Sequence, residues 1–398
     1  MEKNKKNIID ECYARSVDLL LKNSNKYGIM ASTPNKKAIR AQYDNVFGRD
    51  ASISSLGMII SGNKKLLSVA KRSILSLAKY QSKFGQISFS INPTQKENLF
   101  FYNGCIDSTL WWLITVDFYN KHSEDKDLYK KLQPKIKLAL NWLFCQDQNN
   151  CGLLEQGEAS DWADMMPSNG AVLYTNVLWV KVLDSYGFKN EKKLALDGLN
   201  TIFWPQLAKP KNSDYLKKEF YRLDIFKKIK KEIKVKDYYL NYISRYSGNE
   251  RFDAHGNVLA ILFGVADKNK SEKIINFIIK KRINKPLSLK VLFPIIKEKD
   301  KDWRDYMKFD NLDYPEQYHN GGIWPYVGSF WSMAIKKRKK NYAWLELERV
   351  AKENKINDWE FNEWFHGKSG KAMGMKGQSW NAGTFILAYH YLKGDFNF

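Results

Sequence analysis

Apolar residues recur at helical spacing in segment after segment of this sequence, and the short alternating runs typical of strands are almost absent. Short polar turns alternate with longer loops rich in Gly, Pro, aromatic residues and carboxylates. This alternation is typical of helical hairpins arranged around a closed ring, with the long loops gathered at one end. The periodicity predicts twelve helices, over residues 8–23, 51–62, 64–82, 107–121, 126–146, 170–187, 190–205, 255–265, 270–282, 322–337, 340–354 and 379–393.

The composition is suited to one large core. Of 398 residues, 44% are hydrophobic and 14% are aromatic, which is enough apolar material for a large globular fold. The segment 206–250 interrupts the helical pattern with a basic run, which we interpret as an insertion on the rim of the ring. We therefore expect residues 1–398 to form a single domain.

The charge of the chain is strongly positive. Lys and Arg number 65 against 43 Asp and Glu, for a formal net charge of +22, and such an excess can indicate a polyanion partner. The lysines are spread over many predicted helices, and no nucleic-acid-binding module is recognisable. We therefore favour a solvated, lysine-rich surface and expect no nucleic-acid partner. A helical nucleic-acid-binding protein is kept as a less favoured alternative.

The sequence also predicts a location. The N-terminus, MEKNKKNIIDECYARSVDLLLKN, has no apolar signal core, and no later apolar run reaches the roughly 18 residues of a membrane span. We expect a cytoplasmic protein with no membrane contact. Disulfides are not expected in a reducing compartment, so we interpret Cys12, Cys105, Cys145 and Cys151 as packing residues.

Cofactor chemistry finds no support in the sequence. The five histidines, at positions 122, 255, 319, 366 and 390, form no ligand cluster. The chain has neither a Gly-rich phosphate loop nor a Gly-x-Ser-x-Gly nucleophile elbow. We expect neither a metal ion nor a cofactor.

Acidic residues recur beside aromatic residues in the long loops and at helix starts. Aromatic rings stack on the faces of sugars, while carboxylates, amides and Arg bind the hydroxyl groups. The pattern therefore predicts a sugar-binding pocket. The segments that carry it are FGRDASISSL (47–56), NGCIDSTLWWLI (103–114), EASDWADMMPSNGAVLYTNVLW (158–179), YPEQYHNGGIWPY (314–326) and FNEWFHGKSGKAMGMKGQSWNAG (361–383).

Cleavage of a glycosidic bond requires one carboxylic acid to protonate the leaving oxygen and a second carboxylate acting on the other face of the sugar. Asp164 and Glu363 are our predicted catalytic pair. Burial beside Trp162 and two methionines would raise the pKa of Asp164, as a general acid requires. The alternative is that Asp161 or Asp164 caps the next helix.

Other candidate residues have structural alternatives of similar weight. Asp50 and Asp107 each precede an amphipathic run and could be helix N-caps. Trp111 could belong to the core, because it shares a helical stripe with other apolar residues. His319 and Asn320 could bind sugar hydroxyls or only stabilise their own loop.

Two families of (α/α) six-hairpin glycoside hydrolases resemble different stretches of the chain. GRDASISSLGMII, IDSTLWWL and DWADMM followed by LYTNVLWVKVL look like the glucosidase part of glycogen-debranching enzymes, the amylo-α-1,6-glucosidases. FDAHGNVLAILFGVAD, KPLSLKVLFPII, YHNGGIWPYV and NEWFHGKSGKAMGMKGQSWNAGTFILAY look like alkaline/neutral invertases. Together the two resemblances cover most of residues 45–393.

The resemblance implies an all-α (α/α)6 barrel that forms a single glycosidase catalytic domain. It also implies an inverting α-glycosidase with Asp164 as the acid in the loop before the sixth predicted helix and Glu363 as the base. Arg49 and Asp50 fall on the segment that holds the terminal sugar. The remaining positions implied to line the pocket are Asp107, Trp111, Asp161, Trp162, His319, Asn320, Trp324, Gln378 and Trp380.

The substrate implied by the resemblance is a small glucoside. Met165 and Met166 stand where the invertase-like segment would carry an arginine pair, and we expect none of the glucan-binding domains that accompany debranching enzymes. The resemblance therefore implies an inverting, exo-acting hydrolase for an α-glucosidic bond in a small glucoside or oligosaccharide. The alternatives are a non-catalytic carbohydrate-binding protein on the same fold and a glycoside phosphorylase. For the inverting reaction, the two carboxyl groups should stand roughly 6.5 to 9.5 Å apart.

Overall fold

A computed structural model of the chain describes residues 7–92, 95, 97–100, 105–206, 214–217, 223–244 and 246–398. All twelve predicted helices are confirmed, and three short ones are added. The helices are α1 (Ile8–Lys22), α2 (Lys36–Arg40), α3 (Gly48–Ile60), α4 (Lys64–Lys79), α5 (Ile106–His122), α6 (Lys126–Phe144), α7 (Leu173–Ser185), α8 (Lys189–Ile202), α9 (Asp214–Lys217), α10 (Leu223–Glu232), α11 (Ala254–Leu262), α12 (Lys268–Lys280), α13 (Pro325–Ile335), α14 (Lys340–Trp359) and α15 (Ser379–Lys393).

Six of these helices form a closed inner ring. α3 packs against α5, α5 against α7, α7 against α11, α11 against α13, α13 against α15, and α15 returns to α3. In the outer layer, α4, α6, α8 and α14 each pack on the inner helix that precedes them, α12 follows α11, and α1 packs on α15. The expected (α/α)6 barrel is confirmed, and the N-terminal helix α1 completes its sixth hairpin.

The residue pattern explains the two layers. Inner helices are enclosed on all sides, and in α5 every residue from Ile106 to Tyr119 is buried. Outer helices bury one face only; α4 buries Leu66, Val69 and Ile74 while its lysines face outward. The ring closes tightly between α3 and α15, because a Cβ atom on Gly57 would lie 1.9 Å from the carbonyl oxygen of Gly383. Only glycine fits at that crossing.

Short antiparallel strands lie in the long loops, several of them directly before an inner helix. Residues 170–172, which we expected to be helical, form a strand, and residues 322–324 precede α13, which begins at Pro325. The strands are β1 (Ser24–Asn25), β2 (Gly28–Ile29), β3 (Val46–Phe47), β4 (Ser90–Asn92), β5 (Glu97–Leu99), β6 (Glu155–Gln156), β7 (Gly170–Val172), β8 (Tyr242–Ile243), β9 (Phe252–Asp253), β10 (Leu292–Phe293), β11 (Trp364–Phe365) and β12 (Ala372–Met373). They pair as β1–β2, β3–β4–β5, β6–β7–β8, β9–β10 and β11–β12.

The expected insertion at 206–250 is described in part, because 207–213, 218–222 and 245 lie outside the described residues. Its described part contains α9, α10 and β8, and α10 buries Phe226 and Ile229 beneath an exposed row of lysines. Of the cysteines, Cys145 is exposed, so its interpretation as a packing residue is wrong. In the part of the chain that is described, none of the helices is both long and apolar enough to cross a membrane.

Candidate active site

The second residues of the six inner helices form a closed circle of contacts at one end of the ring. Arg49 lies 3.5 Å from Asp107, whose Oδ2 accepts a 3.0 Å hydrogen bond from Tyr174. The rings of Tyr174 and His255 lie 4.8 Å apart, and His255 lies 5.3 Å from Tyr326. Tyr326 stacks on Trp380 at 4.2 Å, and Arg49 lies over that indole at 5.9 Å. The N-termini of all six helices therefore converge on one site.

Arg49 is a buried cation of this site. Its guanidinium lies 3.5 Å from Asp50 and 3.5 Å from Asp107, and its Nη1 also contacts the sulfur of Cys105 at 3.4 Å. Cys105 donates to Asp107 at 2.9 Å, so this cysteine orients a site carboxylate and is more than a packing residue. The converging helix N-termini add positive potential, which favours the carboxylates.

The interpretation of the acids as helix caps is wrong at each position. Asp50 and Asp107 lie inside the first turns of α3 and α5, because those helices begin at Gly48 and Ile106. The N-cap residue of α7 is Val172, so neither acid of the preceding loop caps it. Helix capping therefore does not explain why these carboxylates lie in the site.

Asp164 lies in the acid loop, residues 157–169 between β6 and β7, and its side chain is 22% exposed. Burial raises its pKa to about 7; Arg49 opposes this shift, and the charges of Asp161, Asp107 and Asp50 add to it. Asp161 is held in place by Gln156 and by the backbone N–H of Ala163, both at 2.8 Å. At neutral pH Asp164 is therefore partly protonated, as a general acid must be.

Glu363 approaches the site from the loop between α14 and α15. Tyr43 donates to its Oε1 at 2.7 Å, and the backbone N–H of Met375 donates to its Oε2 at 2.9 Å. Burial raises the pKa of Glu363 to about 7, and the charges of Asp50 and Asp164 act in the same direction. The two predicted catalytic carboxyls therefore belong to one electrostatically coupled group.

Among the residues of this site that the structure describes, carboxyl groups outnumber cations. Burial raises the pKa of Asp50 and of Asp161 to about 6, and that of Asp253, the N-cap of α11, to about 7. The charge of Asp107 adds to the shift at Asp50 and at Asp161. Such a concentration of shifted acids is typical of an active site and retains protons at neutral pH.

His319 and Asn320 have different surroundings. Asn320 uses both groups of its side-chain amide on backbone atoms of Ile296 and Asp313, so this geometry favours a role inside its own loop. His319 stacks on Trp324 with ring centroids 5.2 Å apart, and burial lowers its pKa well below the usual value. The histidine is therefore neutral, and its Nδ1 lies 3.9 Å from Oδ1 of Asp164, so that it faces the predicted acid.

Aromatic side chains wall the site. Trp162 meets His319, Trp324 and Tyr326 edge-on, with ring centroids 4.8 to 5.7 Å apart. Trp324 in turn lies 5.6 Å from Trp380. Rings in this arrangement offer both faces and edges to a sugar. Trp111 lies behind this wall: it is fully buried, stacks on Phe330 and donates to the hydroxyl of Tyr174 at 2.7 Å.

Several buried polar atoms of the site have no hydrogen-bond partner among the described residues. Buried polar groups are rarely left unpaired in folded proteins, and a cluster of them at one place indicates a ligand-binding function. The atoms are Nε of Arg49, Oδ2 of Asp50, Nε2 of His255, Oδ2 of Asp313, Nδ1 of His319, Nε1 of Trp380, and both amide atoms of Gln378 at the N-terminus of α15.

Four of these functional positions were missed in the sequence. Tyr174, His255 and Tyr326 were not predicted. What they share is the second position of an inner helix, and this position can be recognised only when the first residue of each helix is known. Tyr43 was missed because nothing in the sequence places it beside Glu363. Among the residues that the structure describes, no three His, Cys, Asp or Glu side chains are grouped to hold a metal ion, and the expected lack of cofactors stays a prediction.

Comparison with known proteins identifies relatives of this fold and sequence. A family model described as alkaline and neutral invertase matches residues 225–394. The chain is similar to the alkaline and neutral invertases. It is 25% identical over 325 residues to alkaline/neutral invertase C, mitochondrial, of Arabidopsis thaliana, covering 71% of this chain and 47% of that protein. It is 24% identical over 321 residues to neutral/alkaline invertase 1, mitochondrial, of Oryza sativa subsp. japonica, covering 71% and 50%.

The invertase-like chain spans about half the length of these curated relatives. The invertase part of the resemblance is thus confirmed, whereas the resemblance to amylo-α-1,6-glucosidases stays a prediction. Relatives carry names that include mitochondrial, chloroplastic and cytosolic forms, so a cytoplasmic location also stays a prediction.

Solved structures share the fold at low sequence identity. A mannosylglycerate hydrolase from Thermus thermophilus, in complex with Tris and D-glycerate, superposes with a TM-score of 0.66 at 11% identity, covering 94% of this chain and 99% of that one. A rhamnosidase from Klebsiella oxytoca with rhamnose bound superposes with a TM-score of 0.63 at 9% identity, covering 99% and 65%. This chain therefore has the same (α/α)6 fold as these solved structures.

Proposed function

We propose that this protein is an inverting, exo-acting glycoside hydrolase that cleaves an α-glucosidic bond of a small glucoside or oligosaccharide. The observation that carries the proposal is the coupling of Asp164 and Glu363, two carboxyls from distant loops whose pKa values both rise to about 7 in one aromatic-walled site. The similarity to invertases and the glycosidase fold support it.

In the proposed reaction, Asp164 donates its proton to the glycosidic oxygen as the bond to the anomeric carbon breaks. Glu363 removes a proton from a water molecule, whose oxygen attacks the anomeric carbon from the opposite face. The β-anomer of the sugar is therefore released first from an α-glucoside. Between turnovers, Asp164 regains a proton and Glu363 loses one.

The proposed glycone site suits a neutral sugar. Arg49 is engaged by Asp50 and Asp107, and shifted carboxyls surround it. A carboxylate or phosphate on the terminal sugar would meet this excess of acids and be repelled. Hydroxyl groups, in contrast, match the buried atoms of Gln378 and Trp380 that have no hydrogen-bond partner among the described residues.

The same charge distribution favours hydrolysis over phosphorolysis. A phosphorylase binds inorganic phosphate at the anomeric carbon and needs a free cation there. Among the described residues of the site, the cation is Arg49, which two carboxylates already engage. Glu363 is also a base that hydrolysis requires and phosphorolysis does not.

The test is turnover of a substrate panel followed by NMR. The purified protein is incubated with sucrose, isomaltose, panose, trehalose, glucosylglycerate and mannosylglycerate, with and without inorganic phosphate. The last compound is included because a structural neighbour is a mannosylglycerate hydrolase. Early release of β-glucose from one α-glucoside supports the proposal. Glucose 1-phosphate would indicate a phosphorylase, and binding without turnover a carbohydrate-binding protein.

A matched pair of variants tests the base. Glu363→Gln removes the proposed base and should lower kcat by about 10² to 10⁴. Glu360→Gln changes a carboxyl in the same loop that pairs with Lys376, and should leave kcat nearly unchanged. Unchanged glucose release by Glu363→Gln would mean that another group activates the water.

Three further features are part of the proposal. The chain acts as one catalytic domain with the segment 206–250 on its rim, its partner is a small carbohydrate, and it works in the cytoplasm. If nucleic acid bound tightly with a steep salt dependence while no glycoside was cleaved, the charge of +22 would instead indicate a polyanion-binding protein.

A further inference from the structure

Asp313 is a buried carboxyl with no role in the reaction described above. It lies in the loop between β10 and α13, and its side chain is 0% exposed. Its Oδ1 accepts the backbone N–H groups of His319 at 2.8 Å and of Asn320 at 3.0 Å. Its Oδ2 has no hydrogen-bond partner within the described part of the chain. One oxygen therefore stabilises the loop, while the other is available for a different task.

That second oxygen faces an imidazole nitrogen. Nδ1 of His319 lies 3.9 Å from Oδ2 of Asp313 and 3.9 Å from Oδ1 of Asp164. The ring cannot easily turn away, because it is stacked on Trp324 with an interplanar angle of 4° and meets Trp162 edge-on at 4.8 Å. One nitrogen thus stands between the proposed general acid and a second buried carboxyl.

In the tautomer that carries its proton on Nε2, Nδ1 of the neutral imidazole accepts one hydrogen bond. If Asp164 donated to Nδ1, its proton would point away from the leaving group. If Asp313 donated instead, the proton of Asp164 would stay free for the glycosidic oxygen. The distances of 3.9 Å exceed a hydrogen bond, but catalytic hydrogen bonds are often long in ligand-free proteins and tighten when substrate binds.

The charges around this nitrogen favour a proton on Asp313. Burial raises the pKa of Asp313 well above its usual value, and Asp164 raises it further whenever that carboxyl is ionised. Burial lowers the pKa of His319, and the charge of Arg49 lowers it further. The other titratable groups that act on Asp164 or on the neighbouring phenol of Tyr318 are Asp50, Asp107, Asp161, Tyr43 and Glu363.

We propose that Asp313 is a positioning residue whose protonated carboxyl donates to Nδ1 of His319 and so leaves the proton of Asp164 free for the leaving group. The inference rests on the proposed hydrolase function. It assigns to Asp313 an effect on protonation of the leaving group and none on attack by water.

Dependence on the leaving group tests this role. The substrates are the panel glycoside that the wild type cleaves and α-glucosyl fluoride, whose leaving group needs little help from an acid. Asp313→Ala should lower kcat on the glycoside about 10- to 100-fold and on the fluoride less than about threefold. Equal losses of kcat on both substrates would indicate a purely structural role. No loss on either substrate would show that Asp313 does not contribute to catalysis.

Asp313→Asn is the rescue variant. Its amide resembles a protonated carboxyl, because its oxygen still accepts the two backbone N–H groups and its nitrogen donates to Nδ1. We expect kcat within about threefold of wild type on both substrates. A loss above about tenfold on the glycoside would overturn the proposal, because Asp313 would then act through its charge.

Two further controls separate the possible failures. If Asp313→Ala does not fold, Asp313→Ser replaces it, because its hydroxyl still accepts a backbone N–H but is too short to reach the imidazole. A wild type that cleaves nothing in the panel removes the proposed function together with this inference. If the wild type cleaves a glycoside, but Asp313→Ala loses no activity or loses it equally on both substrates, this inference alone is overturned.

Discussion

Tyr43 donates a 2.7 Å hydrogen bond to Oε1 of Glu363 from 320 positions away in the sequence. The bond lowers the pKa of Glu363 and partly offsets the effect of burial, which still raises that pKa to about 7. The pKa of the tyrosine itself rises well above its usual value, because it is buried beside this carboxylate. Tyr43 thus keeps the proposed base ionised near neutral pH and fixes its orientation.

Tyr43→Phe should therefore move the acidic limb of the pH profile. Without the hydrogen bond the pKa of Glu363 rises, so less of the base is ionised below pH 7, and the limb should move up by about one pH unit. The measurement is kcat/KM from pH 5 to 9. Tyr391→Phe, in the second half of α15 away from the site, is the control. A uniform fall at every pH would contradict this account.

The wild type itself should show a bell-shaped dependence of kcat/KM on pH. Activity requires ionised Glu363 and protonated Asp164, and both carboxyls have a pKa of about 7. Activity should fall below pH 7 as Glu363 gains a proton and fall above it as Asp164 loses one. Because the two groups are coupled, the apparent values belong to the pair. A plateau from pH 5 to 9 would exclude these two carboxyls as the titrating groups.

The fold could be predicted from the sequence because hydrophobic periodicity identifies a helix even when its predicted ends are wrong by a few residues. The site is harder, because its organising rule is positional: Tyr174, His255 and Tyr326 are each the second residue of an inner helix. The predicted starts at 170, 255 and 322 miss those of α7, α11 and α13 by one to three residues. An error of that size hides the rule, since one residue turns a side chain by about 100° around the helix.

Contacts between distant loops could not be predicted either. Asp164 and Glu363 could be proposed from their aromatic neighbours and from resemblance, but Asp313 and Tyr43 have no such local signal. Their roles come from unpaired or shared oxygens near a partner that is remote in sequence. The interpretation of Asp50 and Asp107 as caps failed because the helices α3 and α5 begin two and one residues before them.

Asp164→Asn should be inactive yet more stable above neutral pH. The folded-state pKa of Asp164 rises from 3.8 to about 7, so folding favours its protonated form. That contribution is complete below pH 4 and is lost as pH rises through 7, where the ionised group is left buried. At pH 8 we expect the variant to gain about 1–3 kcal/mol in urea unfolding, after allowance for its 22% exposure.

The gain should shrink several-fold at pH 4, because the folded-state carboxyl is then protonated and the unfolded-state carboxyl, with a pKa of 3.8, is about half protonated as well. Asp18→Asn, on the exposed face of α1, is the matched control and should change the unfolding free energy little at either pH. A stability gain that is the same at pH 4 and pH 8 would show that the carboxyl is not penalised by its burial.

Arg49→Met should destabilise the fold in a pH-dependent way. The variant leaves Asp50 and Asp107 without their cation, and the removal of one partner from a buried charge group costs about 3–5 kcal/mol. Lowering the pH from 8 to 5 should recover part of this loss, because the remaining carboxyls can then take up protons. Thermal unfolding of Arg49→Met and of Arg40→Met, an exposed arginine in α2, measures the difference. If the loss of stability were the same at pH 8 and pH 5, Arg49 would not be acting as the cation that balances these carboxylates.

Arg304→Met should weaken catalysis while barely changing stability. Arg304 binds both carboxylate oxygens of Glu158, at 2.8 to 3.2 Å, and Tyr306 donates to the same carboxylate at 2.8 Å, so the acid loop is tied to the segment after β10. Both charged side chains are about one-third exposed, and such a pair contributes about 0–1 kcal/mol to folding. Its loss frees the loop that holds Asp164, so kcat should fall about three- to tenfold with little change in Tm.

Arg338→Met, which breaks the ion pair of Arg338 with Glu272 after α13, is the control. An equal fall in both variants, or unchanged kcat in Arg304→Met, would mean that the position of the acid does not depend on this ion pair.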